Sequence, residues 1–203
     1  MLELDHLAVA CTDLAAGQAA VEKALGVPMA PGGRHAHFAT HNVLLGLGPG
    51  CYLEVIAIDP EAPTPGYPRW FDLDRFAGPP RLHNWICRTQ SLEDAVARLP
   101  EAGQPVRLAR GDLRWRMAVP ADGRLPFDNR FPALIEWEAG DHPAARLPET
   151  GCRLTRLVVC HPRAPELEAR LTPGLRDPRV VFQTGAPALR AEIATPRGAR
   201  VLA

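Results

Sequence analysis

The sequence is poor in lysine, in net charge and in long apolar runs. Lys23 is the single lysine among 23 basic residues, the other 22 are arginines, and 23 acidic residues balance them. A chain with no net charge carries no basic footprint for nucleic acid or an anionic membrane surface, so neither is an expected partner. No apolar run reaches the roughly 18 residues that a membrane helix needs. The opening stretch MLELDHLAVACTDL carries acids where a secretion signal carries positive charge. A cytoplasmic location is therefore expected. Also missing are a Walker-type loop, a G-x-G-x-x-G after a strand and a G-x-S-x-G elbow, which sets aside nucleotide use and α/β-hydrolase chemistry. The five cysteines (Cys11, Cys51, Cys87, Cys152, Cys160) contain no C-x-x-C pair and form an odd set, so reduced, buried thiols are expected.

What is present is an ordinary globular composition, 46% hydrophobic over 203 residues, with an internal repeat. LDHLAVACTDL matches LHNWICRTQSL at an offset of 78, which sets His6 on Asn84 and Leu14 on Leu92. A helix follows each copy: Asp13 is placed to cap LAAGQAAVEKAL, closed by Gly26, and Ser91 to cap LEDAVARL, closed near Gly103. A weaker third copy starts at LTRLVVCHP, with Arg156 at the His6 position and Pro165 opening the helix ELEARL. Three short strands follow the first helix (RHAHFA, HNVLLGLG, CYLEVIAI) and three follow the second (PVRLAR, LRWRMAVP, ALIEWEA). The fold class predicted is mixed α+β. A first βαβββ unit spans 1–58, a second spans 81–145, and a partial third unit of βαβ type spans 152–203. Residues 59–80 form a Pro-rich linker whose Trp70 and Phe71 would pin it down.

Aligning YLEVIA with LIEWEA sets Glu54 on Glu136. Strand alternation gives Leu4, His6, Ala8 and Ala10 one face and Tyr52, Glu54 and Ile56 another, so His6 and Glu54 meet only if those faces converge. Glu54 is the most telling residue. A carboxylate in the apolar string CYLEVIAI costs several kcal/mol unless a metal or cation pairs with it.

A duplicated βαβββ unit with His on its first strand and Glu on its fourth resembles the vicinal oxygen chelate superfamily. More closely, GGRHAHFATHNVLLGLGPGCYLEVIAIDP, GDLRWRMAVPADGRLPF and ALIEWEAGDHPAARLP are similar to glyoxalase-like domain proteins. The resemblance implies a cleft between paired units and a divalent metal (Zn, Mn, Fe, Ni or Mg) held by His6, Glu54 and Glu136, with Asn84 at the remaining corner, where glyoxalase I has His or Gln. It further implies a metal-dependent lyase or isomerase acting on a small oxygenated substrate through an enediolate or alkoxide, with Glu54 or Glu136 moving the proton. The alternative is a metal-free small-molecule binding protein of the bleomycin-resistance kind. In either case a small molecule is the partner, and a homodimer is admitted.

The residues carry plainer readings beside these. His41 and Asn42 in ATHN either hydrogen-bond a substrate carbonyl or cap a turn. Arg156 either touches substrate or pairs with one of the carboxylates. His35 and His37 alternate on one face and are weaker cleft candidates, and Trp85, Trp115 and Trp137 read as core more readily than as binding wall.

Overall fold

The computed structural model describes residues 1–203. Its first unit runs β1 (Glu3–Ala10), α1 (Leu14–Leu25), β2 (Ala30–His35), β3 (Thr40–Gly46) and β4 (Tyr52–Ile58). The second repeats the order with β5 (Arg81–Arg88), α2 (Leu92–Arg98), β6 (Gln104–Arg110), β7 (Leu113–Val119) and β8 (Ala133–Ala139). Both helices start where their caps stand. Asp13 accepts from the Ala16 N–H at 2.7 Å, Ser91 accepts from the Asp94 N–H at 3.3 Å, and α1 stops at Gly26, whose φ of 74° suits glycine.

The eight strands make one sheet in the order β2-β3-β4-β1-β5-β8-β7-β6. β4 returns parallel to β1 and β8 parallel to β5, while β1 and β5 pair antiparallel and join the units. The outer strands β2 and β6 approach one another, so the sheet curls around a single cleft. One element departs from expectation. The first strand after α1 covers Ala30–His35 and not RHAHFA, because Pro31 sits at a register break on an edge strand, and the chain turns at 36–39 with Ala39 at φ 49°.

The C-terminal residues form a second sheet from β9 (Arg153–Cys160), α3 (Ala164–Leu171), β10 (Val180–Gln183), β11 (Ala188–Thr195) and β12 (Gly198–Leu202), in the order β10-β9-β11-β12. β9, α3 and β10 are a parallel βαβ crossover, and β11 lies antiparallel on the other side of β9. Element order follows the first two units but pairing does not, since there the last strand lies parallel to the first. This sheet is tied to the large one by Leu154 N–H to Leu47 O (3.1 Å), by Leu82 N–H to Ala203 O (3.2 Å) and by Phe182 against Trp85. All five cysteines are free thiols, four buried and Cys160 partly so.

The linker is packed against the large sheet. Trp70, Phe71 and Leu73 are buried, Trp70 stacks on Phe38 at 4.5 Å, and Phe71 O accepts from His83 at 3.0 Å. Phe71 and Asp72 have φ of 57° and 54°, a left-handed turn that bulky residues rarely adopt. A second left-handed turn, Phe127 to Asn129, lies against it through Asn129 Nδ2 donating to Asp72 at 3.2 Å.

Candidate active site

Cross-strand partners share a face, and this decides which side chains enter the cleft. His6 lies opposite Tyr52 and Ile86, Ile86 opposite Ala133, and Glu54 opposite Leu44 and Ala8. The cleft wall is therefore built from Asn42 and Leu44 of β3, Tyr52 and Glu54 of β4, His6 of β1, Ile135 and Trp137 of β8, and Trp115 and Met117 of β7. His35, Arg110 and the linker's Trp70 and Phe71 complete it.

His6 and Glu54 come together, the pair that the family resemblance implied. His6 Nε2 stands 3.6 Å from Glu54 Oε1, both side chains are buried, and the imidazole stacks on Tyr52 at 4.3 Å. Asn42 Nδ2 donates to the other Glu54 oxygen at 2.8 Å. Behind His6 lies a residue that alternation hides. In the β1–β5 ladder Leu4 and His6 pair with the consecutive residues Cys87 and Ile86, so Asp5 is an extra residue in a bulge. Leu4 is thereby turned off the His6 face, which corrects the simple alternation. Asp5 is wholly buried and accepts from His6 Nδ1 at 2.6 Å, His142 Nε2 at 2.9 Å and Trp137 Nε1 at 3.1 Å.

These contacts set the charges. Burial alone would lower the His6 pKa, but the Asp5 hydrogen bond and the negative charges of Asp5 and Glu54 outweigh it and raise it to about 9. Burial would raise the two carboxyls, yet His142 and then His6 pull Asp5 down, and His6, aided by Asn42, pulls Glu54 down. At neutral pH an imidazolium thus lies between two carboxylates, one of them facing the cleft. His35 behaves in the opposite sense. Burial first, then Arg110, lowers its pKa to about 4 despite Glu54, which leaves a neutral ring bonded to Thr40 Oγ1 at 3.1 Å through Nδ1 and accepting from Arg110 at 3.3 Å through Nε2.

The other expected site residues lie elsewhere. Glu136 is one residue out of phase with Ile135 and Trp137, so it points to the opposite face of β8, where it accepts from the Leu92 N–H at the start of α2 (2.6 Å) and from Arg116 (2.7 Å). It does not join His6 and Glu54. His41 is out of phase with Asn42 and lines a surface hollow beside α1. Arg156 stands in the second sheet, 4.0 Å from Glu192 and away from the cleft. Asn84 is opposite Ala8 on the cleft face but fully buried, with both amide atoms lacking a partner, and it does not reach the cavity. His37 falls outside β2 and stacks on Tyr67, whereas Trp115 and Trp137 are cleft walls and Trp85 is core, its Nε1 donating to Arg130 O at 2.7 Å.

The donor set does not fit a resident divalent metal. His6 and Glu54 would supply two ligands, but Asp5 lies behind them on His6 Nδ1, both His35 nitrogens are engaged by Thr40 and Arg110, and no group of three His, Cys, Asp or Glu is arranged to hold an ion. The second unit faces them with Met117, Ile135 and Trp137, and the Asn42 carbonyl oxygen is occupied by the Gly33 N–H (2.9 Å) and Arg110 (3.2 Å).

Residues 4–175 match the profile of a family described as the glyoxalase-like domain. No curated protein matches the chain. A hypothetical protein from Staphylococcus aureus is similar in structure with a TM-score of 0.64 and 13% identity, over 93% of this chain and 88% of that one. A methylmalonyl-CoA epimerase from Mycobacterium tuberculosis is similar with a TM-score of 0.44 and 20% identity, over 70% of this chain and 91% of that one. No helix is long and apolar enough to cross a membrane. With paired βαβββ units around one cleft and a family match that spans both of them, the chain belongs to the glyoxalase-like domain family.

Proposed function

We propose that the protein is an isomerase-type proton-transfer enzyme for a small oxygenated substrate, with Glu54 as the base and His6 as the cation that faces the developing oxyanion. One observation carries this reading: the buried series Asp5, His6, Glu54 opens on a cavity walled by Trp70, Trp115 and Trp137. Glu54 is ionised at neutral pH, as a base must be, and the aromatic walls exclude water and strengthen every charge interaction inside. When the carboxylate takes a proton from the carbon beside a carbonyl, the C–H electron pair becomes a C=C bond and the carbonyl π pair moves onto oxygen. Negative charge thus leaves Glu54 and reappears on the substrate beside the same imidazolium, so His6 keeps a counter-charge throughout. Return of the proton, at the same carbon or a neighbouring one, completes an isomerisation with no change in atoms or oxidation state. Asp5 holds the His6 ring and its charge, a positioning role.

The test is solvent-deuterium incorporation by NMR into small 2-oxo and 2-hydroxy carbonyl compounds. The expected outcome is exchange beside the carbonyl that survives chelator treatment and falls by about 100-fold or more in Glu54→Gln. Exchange that requires an added divalent ion, or that persists in Glu54→Gln, overturns the reading. Ligand binding without exchange in any compound points instead to the metal-free binding alternative.

A further inference from the structure

The free space directly beside Glu54 is about 30 Å³, room for roughly two water-sized groups. Only the reacting end of a substrate fits there. Leu44 and Arg110 are walls of this inner cavity and also of an outer groove of about 540 Å³, which runs between β2 and the Gly111 turn and past Leu113, Leu147 and Pro148. Arg110 therefore stands at the neck between the two.

Three arginines line the groove or its neck, and two are already neutralised. Arg146 pairs with both Asp112 oxygens at 2.9 and 2.5 Å, and Arg34 pairs with Asp59 at 2.9 Å and Glu61 at 2.5 Å. Arg110 differs. Its hydrogen bonds go to the neutral His35 ring and to the Asn42 carbonyl, and no carboxylate lies within ion-pair distance. The backbone is shaped to let it lie there, since a side chain at Gly33 would meet the Arg110 stem at 2.7 Å. A half-buried guanidinium held by two neutral acceptors, with its charge unanswered, is a fork waiting for an anion. A single fork matches one planar carboxylate. A phosphate dianion would call for more donors than the neck offers.

We propose that Arg110 anchors a carboxylate of the substrate, so that the substrate class is a small carboxylic acid: the carboxylate lies at the neck, and the short carbonyl end that follows it, with the reacting carbon, enters beside Glu54. Placement of the reacting carbon rests on the proton-transfer reading above; the anchoring of the carboxylate does not. Asn42 links the two ends, since its oxygen accepts from Arg110 and its nitrogen donates to Glu54. The anchored group and the base are thus held at a fixed separation by one side chain.

The experiment measures binding, by titration calorimetry and thermal shift, of 2-oxo acids of three and four carbons, of their methyl esters, and of inorganic phosphate. It uses the wild-type protein and Arg110→Gln. The expected result is that the free acids bind wild type, while the esters, and the acids with Arg110→Gln, bind at least about tenfold more weakly, the loss of one charge-assisted hydrogen-bonded pair. Equal binding of acid and ester to wild type overturns the proposal even if Arg110→Gln fails to fold. So does an undiminished affinity in a folded Arg110→Gln, the absence of binding by every acid, or displacement of the acids by phosphate at matched concentration. Because this readout does not use turnover, exchange without carboxylate preference sinks the anchor alone, and carboxylate binding without exchange sinks the proton-transfer reading alone.

Discussion

An imidazolium buried between two carboxylates is stable only while all three members are present, and this makes the His6 pKa the most sensitive reporter of the site. Asp5 makes the closer of the two contacts, 2.6 Å against 3.6 Å for Glu54. Asp5→Asn keeps a hydrogen-bonding group of similar size but removes the charge. NMR titration of His6 should show its pKa falling from about 9 towards or below the ordinary histidine value, as burial is left less opposed. Denaturant unfolding should show a loss of about 3 kcal/mol, the usual cost of removing one partner of a buried ion pair. A His6 pKa unchanged in Asp5→Asn would refute the role given to Asp5. Asn42 stands next to this series and ties it to Arg110, so a substitution there disturbs the base and the neck together.

Among the elements, the two left-handed turns shape the site as much as the strands do, because they hold Trp70 and Phe71 over the cavity. Gly123 fixes their spacing: its φ is 74°, a Cβ there would lie 2.0 Å from Arg69 O, and its carbonyl accepts from the Asp72 N–H at 2.8 Å. Gly123→Ala is expected to lower stability by about 2 kcal/mol or more and to speed tryptic cutting at Arg69 or Arg75 in the native protein. Unchanged proteolysis and melting would show that the linker is held by other contacts. Much of the element order was readable in advance, because caps, repeat offset and strand lengths are local properties: Asp13, Ser91 and Gly26 lie where their chemistry requires. Glu54 as a site residue was readable too, from an odd carboxylate in an apolar string, whereas His6 as its partner came from the family resemblance. What could not be read was phase. Asp5 reaches the site only through a bulge, Glu136 leaves it because its alignment with Glu54 ignored which residues face the cleft, and Arg110 enters because the sheet curls until β6 meets β2, a non-local event with no sequence motif. Gly32 and Gly33, which the expected strand RHAHFA leaves out, lie in β2, which needs small residues beside Asn42 and Arg110.

At the scale of the whole molecule the two units divide the work unevenly, since the first supplies Asp5, His6, Asn42 and Glu54 and the second supplies apolar walls and Arg110. The concentrated charge gives stability a defined pH dependence. His6 has a folded pKa raised to about 9, so its contribution is complete below its unfolded value near 6.5 and is lost as pH rises through about 9. Asp5 and Glu54 have lowered pKa values, so theirs is complete above the ordinary carboxylate range and is lost as pH falls below it. Urea unfolding should therefore find greatest stability near pH 5 to 6.5 and a decline of about 3 kcal/mol by pH 10. That decline should be largely absent in His6→Asn, and an equal decline in both proteins would contradict the assignment. The bulge that supplies Asp5 is, in terms of the ladder, a one-residue insertion. Excising residue 5 would bring Leu4 next to His6, each still opposite its present partner, Cys87 and Ile86, and would remove the bulge from β1, leaving only the shift at His83 of β5 in this ladder. The sheet thus has a complete form that lacks the carboxylate, and the charged chain behind the base is an addition to this architecture, separable from it by a single codon.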